Sequence, residues 1–125
     1  MPSTRQRGSH WERAAEALLR GHGLRALTRN FSSRFGELDL VMLDGPVLVF
    51  VEVRYRHADR FGSGADTVDR AKQRKLASAA GHYLSLHAEH RCRPCRFDVV
   101  SVGGNAGNAP GGAQLNWIKD AFDAA

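Results

Sequence analysis

No stretch of the chain is apolar for the roughly 18 residues that a membrane-spanning helix needs. The opening run, MPSTRQRGSHWERAAEALL, interrupts its apolar positions with charge. A signal-peptide core is therefore not expected there, and the cytoplasm is the expected location. Cysteine is scarce: Cys92 and Cys95 form a lone CxxC, with His87 and His90 nearby. They are four possible zinc ligands, but without a second CxxC or the long spacing to a His pair a structural zinc is the lesser reading. Small thiols entering a strand are the simpler reading. A disulfide is not expected in a reducing compartment, and a thioredoxin-like pair would open a helix rather than lead through Pro94 into a strand. A Walker phosphate loop, a dinucleotide fingerprint and internal repeats are all missing, which leaves nucleotide-cofactor chemistry without support. Acidic residues are in deficit, thirteen against eighteen basic ones, and the net charge of +5 favours nucleic acid among possible partners. At 125 residues the chain is expected to form one domain spanning 1–125.

What is there centres on Gly36 to Arg56, GELDLVMLDGPVLVFVEVRYR. Leu38, Leu40 and Met42 alternate with other residues, and 47–53 is almost continuously apolar, the pattern of a strand covered on both faces. Asp44 and Gly45 supply a two-residue turn. Leu43 is then expected to pair with Pro46, Asp39 with Phe50 and Glu37 with Glu52. That register collects Glu37, Asp39, Glu52 and Arg54 on one side of the sheet, with Asp39 and Glu52 as diagonal neighbours.

Clustered carboxylates are relieved by protonation, by cationic partners or by a metal ion. Mg2+ (or Mn2+) suits one or two carboxylates, with water and phosphate oxygens completing its shell. A buried Glu52 paired with Arg54 or another cation explains the same residues without a metal. Both readings stand on these residues alone.

The pattern Glu37, Asp39, then Glu52-Val53-Arg54 resembles the PD-(D/E)XK nuclease signature. More closely, the chain resembles the bacterial YraN family of small restriction-endonuclease-like proteins. The runs that carry the likeness are RNF at 29–31, GELDLV at 36–41, VFVEVRYR at 49–56, KQRKL at 72–76 and RFDVV at 96–100. The resemblance implies an α/β restriction-endonuclease-like core, a mixed sheet flanked by helices, with a metal-dependent phosphodiesterase site. It assigns Asp39 and Glu52 as metal ligands, Glu16 as an auxiliary carboxylate from the first helix, and position 54 as the cation. Arg54 stands where the signature has lysine; it keeps the charge but stays protonated.

Around this centre, residues 1–7 read as a loose basic arm. Trp11, Ala14, Ala15, Leu18 and Leu19 mark an amphipathic helix over about 8–20, with Glu12 and Glu16 at the edge of its apolar stripe. A first strand is expected over 24–30, and a connection over 31–35 carries Arg34 while Arg29 precedes it, both candidates for phosphate contact. Residues 56–67 read as a mobile loop. A long helix over 67–87, capped by Asp66, brings Lys72, Gln73 and Lys75 to a basic face suited to a phosphate backbone. A strand over 96–102, a flexible loop at 103–112 and a last strand or short helix over 114–122 complete the chain. The leading expectation is a magnesium-dependent nuclease acting on DNA, branched or structured DNA included. Its rivals are a non-catalytic nucleic-acid-binding module that keeps the fold, and a protein-interaction scaffold.

Overall fold

The computed structural model describes residues 4–56, 68–103 and 114–123. The chain runs α1 (Thr4–Gly21), β1 (Arg25–Ser33), β2 (Gly36–Asp44), β3 (Val47–Arg56), α2 (Arg70–Leu86), a short 3₁₀ turn (Ala88–His90), β4 (Cys95–Gly103) and β5 (Leu115–Phe122). The five strands form one sheet in sequence order. Only β3 and β4 are parallel, because α2 carries the chain back between them; the other neighbours are antiparallel. This mixed sheet flanked by two helices is the α/β, restriction-endonuclease-like core expected from the sequence.

Each helix covers one face. Ala15 and Leu19 of α1 pack with Leu40, Met42, Val49, Val51 and Val100. Leu76, Ala79, Ala80 and Tyr83 of α2 pack with Leu38, Val41, Leu43, Leu48, Phe50, Phe97 and Val99. The strand β3 is buried on both faces, which is why its apolar run shows no alternation. Asp98 is fully buried yet satisfied: it accepts from Arg96, from Trp117 Nε1 at 2.9 Å and from the Asp120 N–H at 2.9 Å. Arg96 also reaches Asp44 at 2.9 Å, so the RFDVV run fastens β4 to β5 and to the β2–β3 hairpin.

Several boundaries differ from the sequence expectation. Helix α1 reaches back to Thr4, so residues 4–7 belong to the helix, since one Gly8 costs only about 1 kcal/mol in a helix interior. Residues 1–3 lie outside the described part. Strand β1 continues through Phe31, Ser32 and Ser33, and only Arg34 and Phe35 turn. The β2–β3 turn is Gly45-Pro46, because Asp44 pairs with Val47. Gly45 takes the positive φ of 57°, and Pro46, which has no N–H to give to a ladder, stays out of the strand. The cap of α2 is Asp69, whose carboxylate accepts the Lys72 N–H at 2.8 Å. Asp66, the rest of the proposed loop at 57–67, and the proposed flexible run at 104–112 lie outside the described residues.

Candidate functional site

The corrected turn moves the β2–β3 register by two residues. Leu40 pairs with Val51, and one further step sets Asp39 opposite Glu52 instead of Phe50. A two-residue slip preserves the faces of a strand, so the expected meeting of Asp39 and Glu52 survives the wrong pairing. The flat, one-sided cluster does not. Leu38 lies in the α2-side core and Leu40 in the α1-side core, so the alternation of β2 breaks at Asp39.

The neighbouring strand is distorted at the same level. Arg29 pairs with Leu40 and Phe31 with Leu38, which leaves Asn30 opposite Asp39, and Asn30 has a left-handed φ of 56°. Asparagine tolerates that region better than most residues. Beyond Leu40 the regular β2–β3 pairing stops, and Asp39 Oδ2 accepts the Val53 N–H at 2.8 Å in place of a backbone carbonyl. Gly36, which opens β2, has φ 152°, and a Cβ there would stand 3.2 Å from the Lys75 carbonyl oxygen. The glycine lets the strand end press against α2.

Asp39 consequently sits in a fork and meets groups from both layers. It shares hydrogen bonds with Glu52 and with Glu12 of α1, while Lys72 of α2 places Nζ 3.4 Å from Glu52 Oε2. Burial first, then the charge of Asp39, push Glu12 up to about 7. Glu52 is likewise pushed up to about 7, chiefly by burial and then by Asp39, with Lys72 opposing. Burial also raises Asp39, against the pull of the Val53 N–H. Hydrogen bonds between carboxyl groups require a shared proton, so this cluster holds protons near neutrality.

The other candidates are more dispersed. Glu16 is one helical turn from Glu12 and is taken by Arg29, whose Nε and Nη2 donate to its two oxygens at 2.6 Å each. The α1 carboxylate beside Asp39 is Glu12. The sequence placed both on the edge of one helical stripe, and only the path of β1 and β2 separates their roles. Gln73 donates from Nε2 to the Val68 carbonyl at 2.7 Å at the head of α2. Lys75 is exposed, and Arg34 lies over the Phe35 ring at the β1–β2 turn. Arg54 is partly buried on β3, and Lys72, which the sequence placed on a phosphate-facing helix, sets its ammonium against Glu52. Cys92 and Cys95 are exposed free thiols, while His87 and His90 bond through Nδ1 to the Tyr83 carbonyl and to Arg93. Among the described residues, no group of three or more His, Cys, Asp or Glu side chains is disposed to hold a metal ion.

A model of the uncharacterised protein family UPF0102 matches residues 11–102, which include every site residue above. The chain belongs to that family. A UPF0102 protein of Xanthomonas euvesicatoria is 54% identical over 125 residues, covering 99% of this chain and 98% of its own length. One from Stutzerimonas stutzeri is 52% identical over 116 residues, covering 89% and 92%. Another, from Pseudomonas savastanoi, is 46% identical over 121 residues, covering 97% and 96%. The UPF0102 likeness therefore extends over the whole fold, carboxylate fork included. No helix among the described residues is long and apolar enough to cross a membrane.

Proposed function

We propose that this chain is a metal-dependent nuclease of the PD-(D/E)XK type that hydrolyses phosphodiester bonds in DNA, branched or structured DNA included. The observation that carries the reading is the meeting of Asp39 and Glu52 at the fork between β2 and β3, with Glu12 and Lys72 against them. Three carboxyl groups pressed together beside one ammonium offer hard oxygen donors whose shared protons a cation can displace, a fit for Mg2+ or Mn2+ through Asp39 and Glu52. Two carboxylates are enough for magnesium, whose other positions go to water and phosphate oxygens, so a complete protein cage is not required. When bound, such an ion supplies an activated water and polarises the phosphoryl group.

The chain's own groups have separable tasks. The Val53 N–H fixes the Asp39 carboxylate in the fork. Lys72, paired with Glu52, brings a second positive charge beside Arg54 to the side of the fork where a scissile phosphate would lie. Glu12, with a pKa of about 7, can hold or release a proton at working pH. Arg54 on β3 offers a guanidinium to a phosphate oxygen.

The test is single-turnover cleavage of linear, single-stranded and branched DNA with Mg2+, Mn2+ or chelator. Metal-dependent cleavage, weakened by Asp39→Asn and partly recovered at higher metal concentration, is the expected result. An equal trace rate in the wild type and in Asp39→Asn would overturn it. Arg54 in the lysine position favours a second reading, a binding module that keeps the nuclease fold without catalysis. Salt-dependent DNA binding with no metal-dependent cleavage would select it.

A further inference from the structure

Beside the carboxylate fork, α1 and β1 frame a second cleft of about 450 Å³, lined by Arg13, Glu16, Ala17, Arg20 and Arg29. Arg13, Glu16 and Arg29 also line a smaller cleft of about 120 Å³ together with Glu12 and Asn30, so the two clefts adjoin on the side of the fork that Glu12 occupies. Three guanidinium groups against one carboxylate leave the larger cleft with a net positive charge of two. Glu16 is the buried member, its side chain 7% exposed, whereas those of Arg20 and Arg29 are 63% and 58% exposed. Glu16 grips Arg29 through Nε and Nη2 and draws Arg20 to 3.7 Å. The rest of the Arg29 fork keeps N–H donors on a side chain that solvent reaches.

We propose that this arginine cleft binds a backbone phosphate of the same nucleic-acid strand, next to the one presented to the fork. Arg13, Arg20 and Arg29 make the phosphate contacts, and Glu16 is a positioning residue that orders Arg29. The placement relative to a scissile phosphate rests on the nuclease reading, but phosphate binding itself does not. Glu16 then serves the substrate path and leaves metal binding to the fork.

The experiment measures binding of a fluorescent single-stranded oligonucleotide to the full chain across a salt series in chelator, together with Mn2+ affinity by direct titration. Arg13→Ala and Arg20→Ala, both at exposed positions that leave the core intact, should each weaken binding several-fold and lower the salt slope by about one. Their Mn2+ affinity should be unchanged. Glu16→Gln is the sharper arm, because removing a negative charge should raise affinity for DNA by charge alone, whereas loss of the Arg29 clamp should lower it. Thermal melts confirm that each variant is folded.

Unchanged slopes in both arginine variants, tighter binding by Glu16→Gln, or no DNA binding at low salt would each overturn the proposal. So would displacement of the oligonucleotide by millimolar inorganic phosphate in the wild type and equally in the arginine variants, which would assign the anion site elsewhere. Failure of cleavage with the slope changes intact removes the nuclease reading and leaves the cleft. Cleavage with unchanged slopes does the reverse.

Discussion

At the scale of single residues, two lysines one turn apart on α2 have different surroundings. Lys72 reaches Glu52 with its ammonium, while Lys75 abuts Gly36 with its carbonyl oxygen and Cβ. Lys72→Met should therefore lower the single-turnover rate at saturating metal by about 10²-fold, the scale of losing one transition-state donor, whereas Lys75→Met should change only the salt dependence of binding. Equal effects of the two changes on rate would mean that the Glu52 contact is only an ion pair. Arg54→Lys restores the signature on β3 and gives up the planar two-pronged grip, so it should retain or raise the rate, and Arg54→Ala should lower it. Wild type, Arg54→Lys and Arg54→Ala cleaving at one rate would remove Arg54 from the chemistry. Residue type made these candidates legible in the sequence, because Asp39, Glu52 and Arg54 stand in a signature order. Lys72 and Glu12 were visible only as members of helical faces, since their meeting with Asp39 depends on how two helices cross the sheet.

At the scale of elements, the site hangs on two short devices at the ends of β2 and α2. Gly36 combines a positive φ with a close approach to the Lys75 carbonyl, so Gly36→Ala should destabilise the fold by about 2 kcal/mol in chemical denaturation. The same variant should also bind Mn2+ more weakly, because the strand end leads directly into Asp39. Asp69→Ala should cost about 1 kcal/mol and slow cleavage as well, because the cap holds the turn that presents Lys72. A stability loss with no change in rate would separate the cap from the site. Element order was largely readable from hydrophobic period and turn residues: the doubly buried β3, the two amphipathic helices and β4 follow the expected order, while the last segment, open between strand and short helix in the sequence, becomes β5 through its pairing with β4. Caps and turns were less legible. Asp66 and Asp69 are equally good caps by residue type, and Asp44-Gly45 and Gly45-Pro46 are both plausible turns, so only packing decides between them. The break in alternation at Asp39 has no sequence signal except Asn30 opposite, whose left-handed backbone shows once the strands are paired.

At the scale of the whole molecule, the carboxylate fork makes stability depend on pH in an unusual direction for acidic groups. Glu12 and Glu52 are both raised to about 7 from an ordinary value of 4.5, so the folded protein holds protons that the unfolded chain releases. Their stabilising contribution is complete below about pH 4.5 and is lost as pH rises through about 7. For Glu52 alone the effect is at most about 3 kcal/mol, because one pKa unit corresponds to about 1.4 kcal/mol and the coupled pair shares its protons. Glu16 acts in the opposite sense: Arg29 lowers its pKa, so its contribution is present above its ordinary value and is lost at lower pH. Between pH 5 and 8 the fork should dominate, and the Tm measured in chelator should fall across that range. Millimolar Mg2+ or Mn2+ should reduce the fall, since an ion bound to Asp39 and Glu52 favours the deprotonated carboxylates that high pH produces. Asp39→Asn removes the charge that helps to raise both neighbours, so its Tm should vary less with pH in chelator and should respond less to metal. A wild-type Tm that is level from pH 5 to 8, or a slope that Asp39→Asn leaves untouched, would mean that the three carboxyl groups do not act as one cluster, and the metal site proposed for them would lose its physical basis.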